Sequence, residues 1–161
     1  NHMHYLYIFV FILFFLLIYL DRSYAHRIVQ KEIKKLEKTQ NKIIYQKLNV
    51  KCSTFTVGRK SLGFHYKNAD LYFNTDAFII VGYYYLFSKK IYRSFLILTH
   101  HLDYYKAIFS KADEVTIPKK ININSSKGEV YIEFGEATFT STNVSIRLKN
   151  ISETEKKLIN I

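Results

Sequence analysis

The chain has 161 residues, with 24 Lys and Arg against 13 Asp and Glu and a formal net charge of +11, so an anionic partner is expected, either a lipid surface or nucleic acid. A single cysteine, Cys52, excludes an intramolecular disulfide and a thiolate metal cluster. The five glycines are scattered singly, which excludes a glycine-rich phosphate loop.

In chain order, the first element is the apolar run from Tyr5 to Leu20, 16 residues without a charge, glycine or proline. At about 1.5 Å of rise per residue it makes a helix of roughly 24 Å, near the lower limit for a hydrocarbon core of about 30 Å. Phe and Leu occur all round it, so it has no polar stripe for water. Tyr5, Tyr7 and Tyr19 lie near its ends, where amphipathic rings suit the headgroup level. Residues 4–21 are therefore expected to be a retained single-pass anchor. The competing expectation is a signal segment cut after Ser23-Tyr24-Ala25, but no Lys or Arg precedes the run.

Residues 22–47 follow as a basic amphipathic helix continuous with the anchor, since no glycine or proline separates them. Val29, Ile33, Leu36, Gln40 and Ile43 recur at spacings of four and three. This apolar seam predicts docking on the rest of the chain or the bilayer surface, or a homodimer through the helix. Between them Arg22, Arg27, Lys31, Lys34, Lys35, Lys38, Lys42 and Lys47 face only Glu32 and Glu37. By the positive-inside rule, this places the body of the protein in the cytoplasm, at the cell membrane. The anchor makes anionic lipid, rather than nucleic acid, the expected partner of the charge.

From residue 48 to 161 the texture changes to short Tyr-, Phe-, Val-, Ile- and Thr-rich runs broken by turns. Strands are predicted over Lys51–Val57, Ser61–Tyr66, Ala69–Asn74, Ala77–Leu86, Ile91–Thr99, Asp113–Pro118, Gly128–Phe134 and Thr138–Leu148. Ser152 with Glu155 three residues later forms a capping-box pattern that opens a terminal helix. The expected class is α+β: a transmembrane helix running into an amphipathic helix, then a mainly antiparallel sheet or small barrel capped by a C-terminal helix.

The stretch "KSLGFHYKNADLYFNTDAFIIVG" resembles the opening of bacterial pleckstrin-homology-like and GRAM-like domains, with a short turn, a "G-x-L-Y-x-T" type strand, a polar turn and a strongly apolar strand. Ala69 stands where that pattern often has glycine. The resemblance implies a bent sheet or barrel plugged at one end by a helix. It also implies cationic loops at the open end, which in lipid-binding members hold anionic headgroups. The corresponding candidates are Arg59, Lys60, Lys67, Lys89, Lys90 and Arg93 at neighbouring hairpin tips, together with the juxtamembrane Arg22, Arg27, Lys31, Lys34, Lys35 and Lys38.

Other clusters read as structural. Tyr83, Tyr84 and Tyr85 alternate faces along one strand. His100 and His101 lack the i, i+4 spacing of a helical zinc pair. Glu129 and Glu133 share a face with Tyr131 and have no acid–base partner in the sequence. No catalytic constellation, cofactor or metal is expected. The chain reads as a membrane-tethered binding or scaffold module for a protein partner or anionic lipid. The alternatives are a pilin-like structural subunit, which has the same long helix and sheet, and a secreted β domain freed by signal cleavage.

Overall fold

The computed structural model describes residues 2–39, 43–58, 61–124, 128–138, 141–159 and 161. Helix α1 (His2–Lys38) is unbroken over 37 residues, about 55 Å at 1.5 Å per residue. Between Tyr5 and Leu20 every side chain except Ile18 is exposed. By length and composition, α1 is long and apolar enough to cross a membrane.

The second half of α1 behaves differently. Val29, Ile33 and Leu36 are buried against the sheet, each burial contributing about 1.5–3 kcal/mol. The seam is thus covered within the chain itself. The helix ends at Lys38 instead of continuing to Lys47 as its spacing predicts, because the β-branched and aromatic run Ile43-Ile44-Tyr45 goes into a strand. Gln40 and Lys42 lie outside the described residues.

Eight strands follow: β1 (Ile43–Gly58), β2 (Asn68–Asn74), β3 (Ala77–Leu86), β4 (Lys89–Thr99), β5 (Glu114–Thr116), β6 (Lys120–Asn122), β7 (Val130–Phe134) and β8 (Thr142–Leu148). Their order is β5-β4-β3-β2-β1-β8-β7-β6, antiparallel except for the parallel β4–β5 pair. The sheet curls into a half-barrel because β1 serves both halves. Its first part pairs with β2, and Cys52–Gly58 pairs with β8. The register breaks between Lys47 and Val50, where Asn49 adopts a positive φ of 59°. Asparagine tolerates that conformation better than most residues. Here its N–H donates to Asp70 Oδ1 at 3.0 Å, and its side-chain oxygen accepts from the Tyr83 hydroxyl at 2.6 Å.

Inside the curl, Leu71, Phe73, Phe78, Ile80, Leu96 and Leu98 face Val130, Ile132, Phe134, Val144, Ile146 and Leu148. Outside, Ile79, Val81, Phe95 and Ile97 are covered by α1 and by α2 (Leu102–Ile108) with Tyr105 and Phe109. Strands β2 and most of β3 are therefore buried on both faces, as the continuous apolar run of β3 requires.

Three segments of the β domain depart from the predicted elements, one of them β6 (Lys120–Asn122), where no strand was expected. Ser61–Phe64 forms a 3-10 turn instead of a strand. Phe64 sits edge-on to Phe134 with centroids 5.6 Å apart, and Tyr66 lies over Gly82, where a Cβ would come within 2.3 Å of the ring. The segment thus closes one end of the curl rather than pairing along it. Residues 102–108, for which no element was expected, form α2, which carries the chain from β4 to the parallel β5. The C-terminal helix α3 (Glu153–Lys157) begins with the expected capping box: Ser152 accepts from Glu155 N, and the Glu155 carboxylate accepts from Ser152 N.

Candidate functional site

The basic residues predicted at the hairpin rim separate into groups. Lys90 is turned into the fold, ion-paired with the buried Asp70 and placed 3.9 Å over the Tyr83 ring. Such a lysine holds the sheet together instead of presenting charge outward. Arg93 is half-buried on β4, whereas Lys67 and Lys89 are exposed. Arg59 and Lys60 lie outside the described residues.

Lys67 belongs to an open cleft of about 870 Å³ beside the β1–β2 pairing. Lys51 and Lys149 also line it, together with Tyr84, Tyr85 and His65. The Lys51 ammonium donates to Asn68 Oδ1 at 2.9 Å, which fixes one cation at the wall. The Cys52 thiol also lines the cleft; burial pushes its pKa up to about 12, so it is a protonated, unreactive group there. Three cations beside aromatic walls suit an anionic ligand or an acidic surface.

A second groove, of about 640 Å³, lies between α1 and the tip of the β3–β4 hairpin. Phe15, Ile18 and Arg22 line it from the helix, and Leu86, Phe87 and Lys89 from the hairpin. Tyr84 lines both this groove and the cleft, with the Arg22 guanidinium 5.9 Å from its ring centre. The two sites are thus neighbours, placed by one strand.

Along α1 the juxtamembrane basic residues lie mainly on the face away from the sheet. Arg22, Arg27, Lys31, Lys34, Lys35 and Lys38 are all exposed. Lys35 is tied to the buried Glu32 at 2.8 Å.

Tyr83 and Tyr85 share a partner, both hydroxyls donating to Asn49 Oδ1, at 2.6 and 3.3 Å. His100 and His101 are exposed just before α2. Glu133 accepts from Asn143 Nδ2 at 3.1 Å and from the Tyr131 hydroxyl at 3.0 Å, and these bonds hold its carboxyl below the usual range.

Sequence reasoning missed Lys51 and Lys149 in the cleft, because only the strand pairing brings them beside Lys67. It also missed Phe87, although an apolar residue directly before "SKK" was a visible signal. Comparison with protein-family models, with curated proteins and with solved structures returns no match.

Proposed function

We propose that the chain is a single-pass membrane protein whose β domain is a non-catalytic binding or scaffold module on the cytoplasmic face. There it engages a protein partner or anionic lipid. The observation that supports this most is the continuity of α1: one unbroken helix carries an exposed apolar half and a half docked on the sheet. The domain is then held by a rigid element instead of a flexible linker. Confinement near the bilayer raises the effective concentration of a weak partner without new contacts. The curled sheet with its terminal helix is compatible with the pleckstrin-homology-like architecture that the sequence resembles.

Magnitudes decide which cations would meet the lipid. With α1 upright, Arg22 lies about 3 Å and Arg27 about 10 Å beyond Leu20, whereas Lys38 lies about 27 Å beyond it. Surface potential decays within a Debye length of about 8 Å. Of the cations on α1, only Arg22 and Arg27 would gain the roughly 1 kcal/mol per cation available at an anionic surface. The remaining cations, with Lys51, Lys67 and Lys149 of the cleft, are then left for a partner.

A photo-crosslinking amino acid at Lys67 in the membrane-embedded chain tests this. A discrete adduct with lipid or with one protein is expected, and the same group at Asn122, on the far edge strand, should give none. Equal, diffuse labelling from both positions contradicts a cleft-based binding role.

A second reading, a pilin-like structural subunit, is favoured by the docking of the helix's second half on an antiparallel sheet. Against it, no glutamate lies within the apolar run Tyr5–Leu20.

A further inference from the structure

We propose that the groove between α1 and the β3–β4 hairpin seats one anionic phospholipid of the bilayer, with Leu86 and Phe87 dipping into the acyl layer beside it. This rests on the membrane-anchored reading above. Depth is the first argument. The groove runs along α1 from Phe15, inside the apolar run, to Arg22 and Arg27 just beyond it. Phe15 and Arg22 are about 10 Å apart along the helix axis. That interval brackets the acyl–headgroup boundary, and surface-bound apolar groups reach about 5–10 Å into that boundary.

The turn gives the second argument. Leu86 pairs with Lys89, so Phe87 and Ser88 form a two-residue connection, with φ of 46° and 66°. Hairpins of this shape favour Asn-Gly, because both positions need positive φ. A bulky residue adopts that conformation only at a cost. Nothing in the fold recovers it, since Phe87 is 94% exposed. Insertion into a bilayer would cover the ring.

Charge complementarity is the third argument. Arg22, Arg27 and Lys89 line the groove, and no acidic side chain is among its described lining residues. Asp21 precedes Arg22 on the helix but does not line it. The Tyr84 hydroxyl is shielded from solvent and has no hydrogen-bond partner among the described residues. A phospholipid would set a phosphate among the cations, give the hydroxyl an acceptor and lay an acyl chain along Phe15, Ile18 and Phe87. The volume of about 640 Å³ falls within the usual range of ligand clefts, about 300–1,000 Å³.

The test uses the full chain in vesicles of phosphatidylcholine, with or without phosphatidylglycerol. An environment-sensitive fluorophore is placed on Phe87→Cys in a Cys52→Ala background, with Lys106→Cys as the control. Lys106 lies on α2, which packs near Leu36, about 24 Å along α1 from Leu20. The expected result is blue-shifted emission at position 87, quenched several-fold by nitroxides on the upper acyl chain, with neither effect at 106. A probe at 87 as aqueous as that at 106, in a chain that stays with the vesicles in alkaline carbonate, overturns the inserted tip and leaves the anchor standing. Release of the chain by carbonate overturns the anchor itself. In native mass spectrometry from detergent, the chain should retain phosphatidylglycerol over phosphatidylcholine. The Arg22→Gln/Lys89→Gln variant should lose that preference while keeping its near-ultraviolet dichroism. Equal retention of both lipids by the unaltered chain overturns the headgroup assignment.

Discussion

His26 Nδ1 accepts a hydrogen bond of 3.0 Å from the backbone N–H of Tyr92, and the two rings stack with centroids 5.5 Å apart. This pair joins α1 to β4 between the exposed apolar half of the helix and its buried seam. Only an imidazole unprotonated at Nδ1 can accept that bond. Burial holds the His26 pKa below its ordinary 6.5. A depressed pKa means that the contribution is complete above the unfolded value and is lost as pH falls through the folded one. The charged side chains that line the groove with His26, Arg22 and Arg27 on α1 and Lys89 on the hairpin, are all cationic. Titration followed through the Tyr92 amide resonance should therefore show a midpoint below 6.5, and His26→Phe should abolish it. A midpoint at or above 6.5 contradicts the arrangement.

Glu155 ties the two ends of the β domain together. Its carboxylate accepts from Lys47 Nζ at 2.7 Å, from the Tyr45 hydroxyl at 3.1 Å and from Ser152 N at 2.8 Å. Burial alone would raise its pKa, but Lys47, Ser152 and Tyr45 outweigh it, and the carboxyl stays below its ordinary value. Glu155→Gln should cost about 1.5–3 kcal/mol at neutral pH, the range for a hydrogen bond to a charged group. The gap between the chain and its variant should narrow as pH falls below the ordinary 4.5 and through the lower value that the fold imposes on this carboxyl. Urea unfolding of the full chain in detergent at both pH values measures this, and a gap independent of pH contradicts it.

The Asp70–Lys90 pair predicts an asymmetry. Asp70 is 1% exposed and Lys90 is its cation. Lys90→Met leaves a buried carboxylate without that partner, a loss of about 3 kcal/mol. Adding Asp70→Asn removes the charge, keeps an acceptor for Asn49 N–H, and should restore most of the loss. Thermal unfolding of the two variants reads the order, and a double variant less stable than the single one contradicts it.

Gly82→Ala would push a methyl into the Tyr66 ring, and overpacking of this kind costs about 1–3 kcal/mol. In a Tyr66→Ala background the same change should be close to neutral. Additive losses in the double-mutant cycle would mean that the ring is not the obstacle.

Long apolar runs made several elements legible in the sequence. The exposed half of α1, the seam residues Val29, Ile33 and Leu36, the strand Ala77–Leu86 and the Ser152–Glu155 box all follow from periodicity or capping chemistry. What local pattern could not carry was competition between elements. Ile43 continues the helical spacing, yet it pairs with Asn74 across the sheet. Phe64 and Tyr66 read as strand residues, yet they close the end of the curl. Helix α2 has seven residues, too few to show a period, and is stabilised by Tyr105 and Phe109 packing on β4. The site followed the same rule. Lys67 and Lys89 were visible as exposed cations, whereas the pairing of Lys90 with Asp70 joins residues on different strands.

We propose that α1 crosses the membrane with the β domain on the cytoplasmic side. Cys52 is buried, so a reporter must be placed elsewhere. Lys106→Cys in a Cys52→Ala background presents a thiol on α2, for a membrane-impermeant maleimide applied to intact cells. With the domain in the cytoplasm, no labelling is expected until the cells are permeabilised, and the chain stays in membranes at alkaline carbonate pH. Full labelling of intact cells would contradict it, placing the domain outside the inner membrane and favouring the pilin-like or secreted reading.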